Sequence, residues 1–348
     1  MKNYRLKKVF QFLNEKELDS FLITNPYNIF YLTGSWAQGA VLISPSEQLF
    51  FTSPLFSEQT EKNLSDFKIV ISRDNFIEPV TKMFKKLDNK KVGFENSYIS
   101  LNRYEKLKDL NKEVNFIPLK NIIEDLRVLK DEKEISRIKK AHSVTLRCFG
   151  HLKKNLRNGV TERDLSAEAV YFFRKMADKE SFEPIVLFGE RTSLPHGIPT
   201  QRKLKENELV LLDIGAKMEE YCADLTTMVF WGEVSEKWHK IYKLLTTIQE
   251  EIIKEIKPGI KSSQIDGMVR KKLNKAGYLD AFIHSTGHGV GLEVHERPFI
   301  SEKSQEELKE GMIFTLEPGV YFPGKGGIRV ERMVIVNKTG GKFLNDYC

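Results

Sequence analysis

The sequence predicts an α+β protein of two domains, a smaller α/β domain over residues 1–125 and a larger α+β domain over residues 126–348. Three observations carry that prediction. A chain of 348 residues is long for one hydrophobic core. Its first third alternates short apolar runs with amphipathic stretches. The remainder sets long segments of helical period before and between segments of strand period.

In the first third, SFLIT, AVLIS, QLFFT, FKIVIS and KKVGFE read as strands, while SPLFSEQTEKNL, FIEPVTKMFKKL and SLNRYEKLKDL read as helices. Such alternation specifies an α/β layer with a mixed sheet, ending near NIIEDLRVLK. A long helix follows over residues 131–158, because Ile135, Ile138, Val144, Phe149, Leu152 and Leu156 fall close to helical spacing before Asn158-Gly159 stops it. TERD at residues 161–164 has the form of a capping box and opens a second helix through Met176. A third helix covers residues 235–256 and ends at KPG; a fourth covers SSQIDGMVRKKLNKAG. ELVLLDIGAK, EYCADLTTMVFWG, GMIFTLEPGVY and GIRVERMVIV read as strands of an antiparallel sheet against these helices.

Composition excludes several classes. With 41% hydrophobic and 30% charged residues, the chain is built to fold in water. The net charge of +7 is dispersed over many lysines and accompanies no nucleic-acid-binding signature, so it reads as a solvated surface. Cys148, Cys222 and Cys348 form no spaced pair, which points to a reducing compartment. Charges break the apolar residues of MKNYRLKKVFQFLNEKELDS before a signal-peptide core forms, and no apolar run reaches the ~18 residues of a membrane span. A cytoplasmic protein with neither membrane nor nucleic-acid partners is expected.

The chemistry concentrates in the second domain. Asp213 interrupts the apolar run of ELVLLDIGA, and a carboxylate there needs compensation. Asp224 repeats the anomaly in YCADLTTMVF, close enough to pair with the first strand through a hairpin connection. Glu317 sits likewise in MIFTLEPGVY, and Glu331 in GIRVERMVIV. One such residue is ordinarily a carboxylate bonded to backbone N–H groups or to an Arg. Four in one domain repel one another unless cations sit among them. Hard divalent ions take oxygen ligands of this kind, and a His adds a site suited to Mn, Co, Fe or Zn. His288 is the candidate nitrogen ligand, on the glycine-rich TGHGVGLEVHE, where a metal centre is the expected close neighbour. The spacing is neither a zinc-finger nor an HExxH pattern.

These segments resemble a known family. DIGAKMEEYCADLTT, HSTGHGVGLEVHE, TLEPGVY and GGIRVE occur in the order found in the pita-bread metallopeptidases, among Xaa-Pro dipeptidases (prolidases) and aminopeptidases P. SFEPIVLFGERTSLPHGIPTQRKL fits the same family, DSFLITNPYNIFYLTG resembles the smaller domain of its prolidase and creatinase members, and RVLKDEKEISRIKKA matches the usual domain junction. The resemblance implies a C-terminal pita-bread (creatinase/aminopeptidase) fold behind an N-terminal α/β creatinase/prolidase-like domain. It places Asp213, Asp224, His288, Glu317 and Glu331 on the ligand positions of two divalent ions, manganese first, with cobalt or zinc as alternatives. Asp224 and Glu331 bridge, Asp213 completes one site, and His288 with Glu317 complete the other. His196 and His295 fall near the scissile bond, and Arg329 two residues before the last ligand, on the strand face where it can orient Glu331. The implied activity is hydrolysis of the bond before proline through a metal-bridging hydroxide. His295 assists the oxyanion, Glu317 passes the proton to the leaving nitrogen and His196 helps hold the substrate. Short proline-containing peptides are the implied substrates and a homodimer the implied assembly, with the Trp36 loop TGSWAQG facing the neighbour's site.

Departures from the family pattern bear on specificity. Arg332 stands where an acidic residue is common, Thr227 where an Arg is common, and Phe299 where HExPR would place its Arg. In some dipeptidases that region supplies a cation for the substrate's terminal carboxylate; Arg297 or Lys303 are the substitutes at hand. The departure raises the aminopeptidase reading. Alternatives are another hydrolase on the same scaffold, of methionine-aminopeptidase or metal-free creatinase type, and a non-catalytic protein- or RNA-binding relative. The N-terminal domain speaks against the first, and the five intact ligand positions against the others.

Overall fold

The computed structural model describes residues 2–73 and 75–344; Cys348 lies outside the described residues. The chain divides into two compact units, Met1–Arg127 and Val128–Cys348.

The first unit is built on a six-stranded sheet running Lys68–Ile71, Gln48–Thr52, Gly39–Ile43, Ser20–Ile23, Lys91–Glu95, Asn115–Leu119 from edge to edge. Ser20–Ile23 pairs antiparallel with Gly39–Ile43 and parallel with Lys91–Glu95, so the sheet is mixed as expected. Leu22, Leu42, Phe51, Phe84 and Val92 form its apolar core. Among the described residues, helices Lys2–Glu15, Pro26–Thr33 and Ile122–Arg127 lie outside the expected set. Lys2–Glu15 buries Leu6, Val9 and Leu13. Pro26–Thr33 starts where the Asn25 side chain accepts from the Tyr27 N–H, and ends at Gly34 with φ 77°.

In the second unit, Glu132–Asn155 begins with a reciprocal capping box between Asp131 and Glu134, and Glu162–Met176 with the one expected between Thr161 and Asp164. Glu236–Glu255 and Ser262–Lys275 complete the long helices. They pack against two principal sheets. One has the order Leu225–Trp231, Glu208–Ile214, Ile185–Phe188, all antiparallel. The other has the order Glu296–Ile300, Gly287–Gly289, Ile313–Leu316, Arg332–Asn337, Gly340–Phe343. Gly319–Phe322 and Gly326–Arg329 form a separate hairpin. Among the described residues, no helix is long and apolar enough to cross a membrane.

Candidate metal centre

Only Asp213 sits inside a strand as expected, on Glu208–Ile214, facing Thr226 of the neighbouring strand. The other three acids stand where a strand begins or breaks, which corrects the expectation that strands embed them. Asp224 precedes Leu225–Trp231, and Glu317 follows Ile313–Leu316. GIRVERMVIV is not one strand: it breaks at Val330-Glu331, between Gly326–Arg329 and Arg332–Asn337. The Glu331 N–H bonds the Thr226 carbonyl at 2.9 Å and the Glu317 N–H the Thr286 carbonyl at 2.8 Å. Both glutamates are thus held by backbone bonds outside their own ladders, and both line one cleft with Asp213 and Asp224.

His288 lies midway along Gly287–Gly289. The flanking glycines make room for backbone rather than for a metal, contrary to expectation. A Cβ on Gly287 would lie 1.9 Å from the Thr315 carbonyl oxygen, and one on Gly289 2.2 Å from that of Arg297. His288 is thereby clamped between two strands. Its Nδ1 donates to the Gly289 carbonyl at 3.1 Å, leaving the Nε2 lone pair 3.4 Å from Glu317 Oε1 and 3.7 Å from Asp224 Oδ2. Burial pushes its pKa down, which keeps the imidazole neutral.

Asp224, His288 and Glu331 offer donor atoms all within 4.8 Å of one another. Asp213 and Glu317 stand in the same cleft of about 470 Å³. The donor set fits divalent cations, and so does its unmet demand. Asp213 Oδ1 and Asp224 Oδ1 are buried without a hydrogen-bond partner, and a buried lone carboxylate oxygen is costly. Burial, then the neighbouring carboxylates Glu331, Asp213 and Glu317, raise the Asp224 pKa well above the ordinary range. Glu331 is raised well above it by burial, then by Glu317 and Asp213. Burial likewise raises Glu317, against His284 and Arg329, which lower it.

Arg329 does not orient Glu331 directly, which corrects the strand-face expectation. Because the chain breaks after it, its guanidinium turns to Asp213, with Nη2 donating to Oδ2. Nη1 donates to Tyr321 Oη at 2.8 Å and to the Pro195 carbonyl at 3.2 Å, and Nε to Thr226 Oγ1 at 3.0 Å. Thr226 then donates to Glu331 Oε2 at 2.7 Å, so the coupling to Glu331 runs through a hydroxyl. Thr315 donates to Glu317 Oε1 at 3.1 Å. Thr226, Thr315 and Tyr321 were not singled out in the sequence; strand threonines carry no mark of such use.

His295 lines the cleft with its ring centroid 4.1 Å from that of His288, and burial, then His288 and His196, push its pKa down to about 4. His196 lines the cleft from an exposed loop. His284 also lines it: its Nδ1 donates to the Ser285 carbonyl at 2.7 Å and stands 4.0 Å from Glu317 Oε2, and its Nε2 accepts from Tyr321 Oη at 2.9 Å. Phe182, Ile185, Val294 and Phe299 supply an apolar wall. Arg297 is taken up by Glu306 at 2.9 Å and is not part of the lining.

The raised carboxyl groups make a pH prediction. Asp224, Glu317 and Glu331 bind protons more tightly folded than unfolded. In metal-free protein their stabilising contribution is full below the ordinary carboxylate value of about 4 and is lost as pH rises toward their raised values. Divalent ions must displace those protons. The gap between melting temperatures with manganese and with chelator is therefore expected to widen between about pH 5 and about pH 8. A gap that stays constant or narrows would contradict the clustering.

Two families of sequence match the chain. The model of metallopeptidase family M24 matches residues 136–338, and that of the creatinase/prolidase N-terminal domain residues 5–129. An Xaa-Pro dipeptidase of Pyrococcus furiosus is 31% identical over 343 residues, covering 98% of this chain and 97% of the relative. A solved Xaa-Pro dipeptidase from Bacillus anthracis superposes with a TM-score of 0.96 at 33% identity, covering 100% of this chain and 98% of the other. An X-Pro aminopeptidase from Thermotoga maritima superposes with a TM-score of 0.89 at 31% identity, covering 95% and 96%.

Proposed function

Because the chain belongs to metallopeptidase family M24, with a creatinase/prolidase N-terminal domain ahead of the catalytic one, we propose that it hydrolyses the bond between an N-terminal residue and proline using two divalent ions, manganese first. The observation that carries this reading is the convergence of Asp224, His288 and Glu331 within 4.8 Å, with Asp213 and Glu317 in the same cleft. Asp213, Asp224, His288, Glu317 and Glu331 would hold the ions. Bound ions would supply Lewis acidity and ionise water near neutral pH.

The chain's own groups account for the rest. Glu317, which lines the same cleft, is assigned the proton transfer to the leaving nitrogen. His295, held neutral, can donate one N–H toward a developing oxyanion. His196, exposed on its loop, can meet the substrate chain. The wall of Phe182, Ile185, Val294 and Phe299 suits a proline ring, whose tertiary amide brings no N–H to satisfy.

The cleft also bears on substrate length. Among the described residues lining it, Arg329 is the one Lys or Arg, and Asp213, Thr226, Tyr321 and Pro195 engage it. With Phe299 in the lining and Arg297 held by Glu306, a free carboxylate directly after proline meets neither an unengaged guanidinium nor an ammonium. An Xaa-Pro-Yaa tripeptide is therefore expected to be cleaved about 10-fold faster in kcat/KM than the Xaa-Pro dipeptide, the low end of what one hydrogen bond to a charged group contributes. Both activities should vanish with chelator and return with manganese. Preference for the dipeptide would assign carboxylate binding to another group, and metal-independent or absent cleavage would remove the reading.

A further inference from the structure

Helix Glu236–Glu255 turns Ile241, Leu245, Ile248 and Ile252 into the core. Gln249 lies on the same buried side and is 0% exposed. A carboxamide there carries a desolvation cost that a Leu would avoid. Its hydrogen bonds show where that cost is used. Nε2 donates to the Leu316 carbonyl at 2.7 Å and to the Val330 carbonyl at 3.0 Å, while Oε1 has no partner. Leu316 immediately precedes Glu317, and Val330 immediately precedes Glu331. One NH₂ group thus ties together two separate segments, each one residue upstream of an acid of the metal centre.

The sheet does not fix that spacing by itself. Leu316 is the last residue of its strand to pair, with Arg332. Beyond it the ladder is irregular: the Val330 N–H bonds the Pro318 carbonyl at 3.2 Å and pairing resumes at Gly319 with Arg329, but the Glu317 N–H goes to Thr286 and the Glu331 N–H to Thr226. Thr286 is held in turn by Asp266, which accepts from its hydroxyl at 2.8 Å, whereas Thr226 belongs to the other sheet. The two glutamates are therefore anchored to different elements, and the Gln249 side chain spans the carbonyls just before them.

We propose that Gln249 is a positioning residue that sets the relative placement of Glu317 and Glu331 so that both carboxylates address the same pair of ions. The proposal rests on the assignment of both as metal ligands. It predicts an effect on metal binding out of proportion to any effect on folding. Gln249→Met keeps a similar length and removes both donors. Gln249→Glu, buried between two carbonyls, stays neutral and can donate one hydrogen bond.

The test titrates chelator-treated full-length protein with cobalt(II), reading stoichiometry, affinity and the visible d–d absorption, beside thermal melts of the metal-free proteins. Wild type is expected to take up two equivalents. Gln249→Met should lose at least about 10-fold in affinity for one of them and shift the cobalt spectrum, as the loss of a partner that orients ligands does. Its metal-free melt should stay close to wild type, and Gln249→Glu should fall between the two. Unchanged affinity and spectrum in Gln249→Met would overturn the proposal. So would a loss of affinity matched by destabilisation of the metal-free fold, the mark of a purely structural amide. If Gln249→Met does not fold, a wild-type spectrum and affinity in Gln249→Glu overturn it equally. No cobalt uptake by wild type would overturn the ligand assignment itself and the proposal with it.

Discussion

Asp224→Asn is expected to lower kcat/KM on an Xaa-Pro peptide by at least about 10³-fold, the scale of about 4 kcal/mol of lost transition-state stabilisation, and at the same time to stabilise the metal-free protein. The two effects have one origin. Asp224 is buried, with Oδ1 unpartnered and Oδ2 3.7 Å from His288 Nε2. Glu331, Asp213 and Glu317 all oppose its ionisation. A group so placed is useful for holding cations and unfavourable without them. The amide keeps the shape, removes the charge and removes the bridging capacity.

At about pH 8 the chelated variant should therefore melt above chelated wild type, because the amide has no buried charge to form there. Added manganese should raise the wild-type melt strongly and the variant melt little. Activity assays and melts with and without chelator measure both halves. A variant that keeps wild-type activity would remove Asp224 from the centre. One that loses activity and also melts lower without metal would mean that the carboxylate is a structural hydrogen-bond acceptor instead.

The acids of the centre were legible because each is a charge in an apolar run, a contradiction that one strand cannot resolve alone. His288 was legible because glycines bracket it, although the reason differs: the glycines admit the backbones of Thr315 and Arg297. The strand breaks were hidden. Alternation continues through GIRVERMVIV, so period alone cannot show that Val330-Glu331 leaves one ladder for another. The connecting groups were hidden more deeply. Thr226 and Thr315 are ordinary strand residues, and Gln249 is an ordinary helix residue; their partners lie 105, 2 and 67 or more positions away. In the smaller domain, the lysines of the first helix masked the spacing of Leu6, Val9 and Leu13, which becomes informative only when that face is seen to be buried.

Arg329→Met should produce the largest loss of stability in the centre, about 3 kcal/mol in metal-free protein near pH 8, the cost of removing one partner from a buried ion pair. Arg329 is 3% exposed and spends its donors on Asp213, Tyr321, Thr226 and Pro195. It also lowers the pKa of Asp224, Glu331 and Glu317 against their burial and mutual repulsion. Its removal raises those values further, so the added penalty is present above them and fades as pH falls and the carboxyl groups take up protons. Urea unfolding of chelated protein should therefore show a smaller difference from wild type near pH 5 than near pH 8. Arg329→Lys tests whether charge or shape matters. An ammonium keeps the charge but cannot reach four acceptors arranged around a planar fork. It should recover part of the stability while leaving Thr226, and through it Glu331, without its donor. Activity in Arg329→Lys should consequently stay low even where stability returns, by about 10-fold or more relative to wild type, the scale on which loss of a ligand-orienting partner is felt. Full recovery of both in Arg329→Lys would reduce Arg329 to a counter-charge and leave the Thr226 relay without a role.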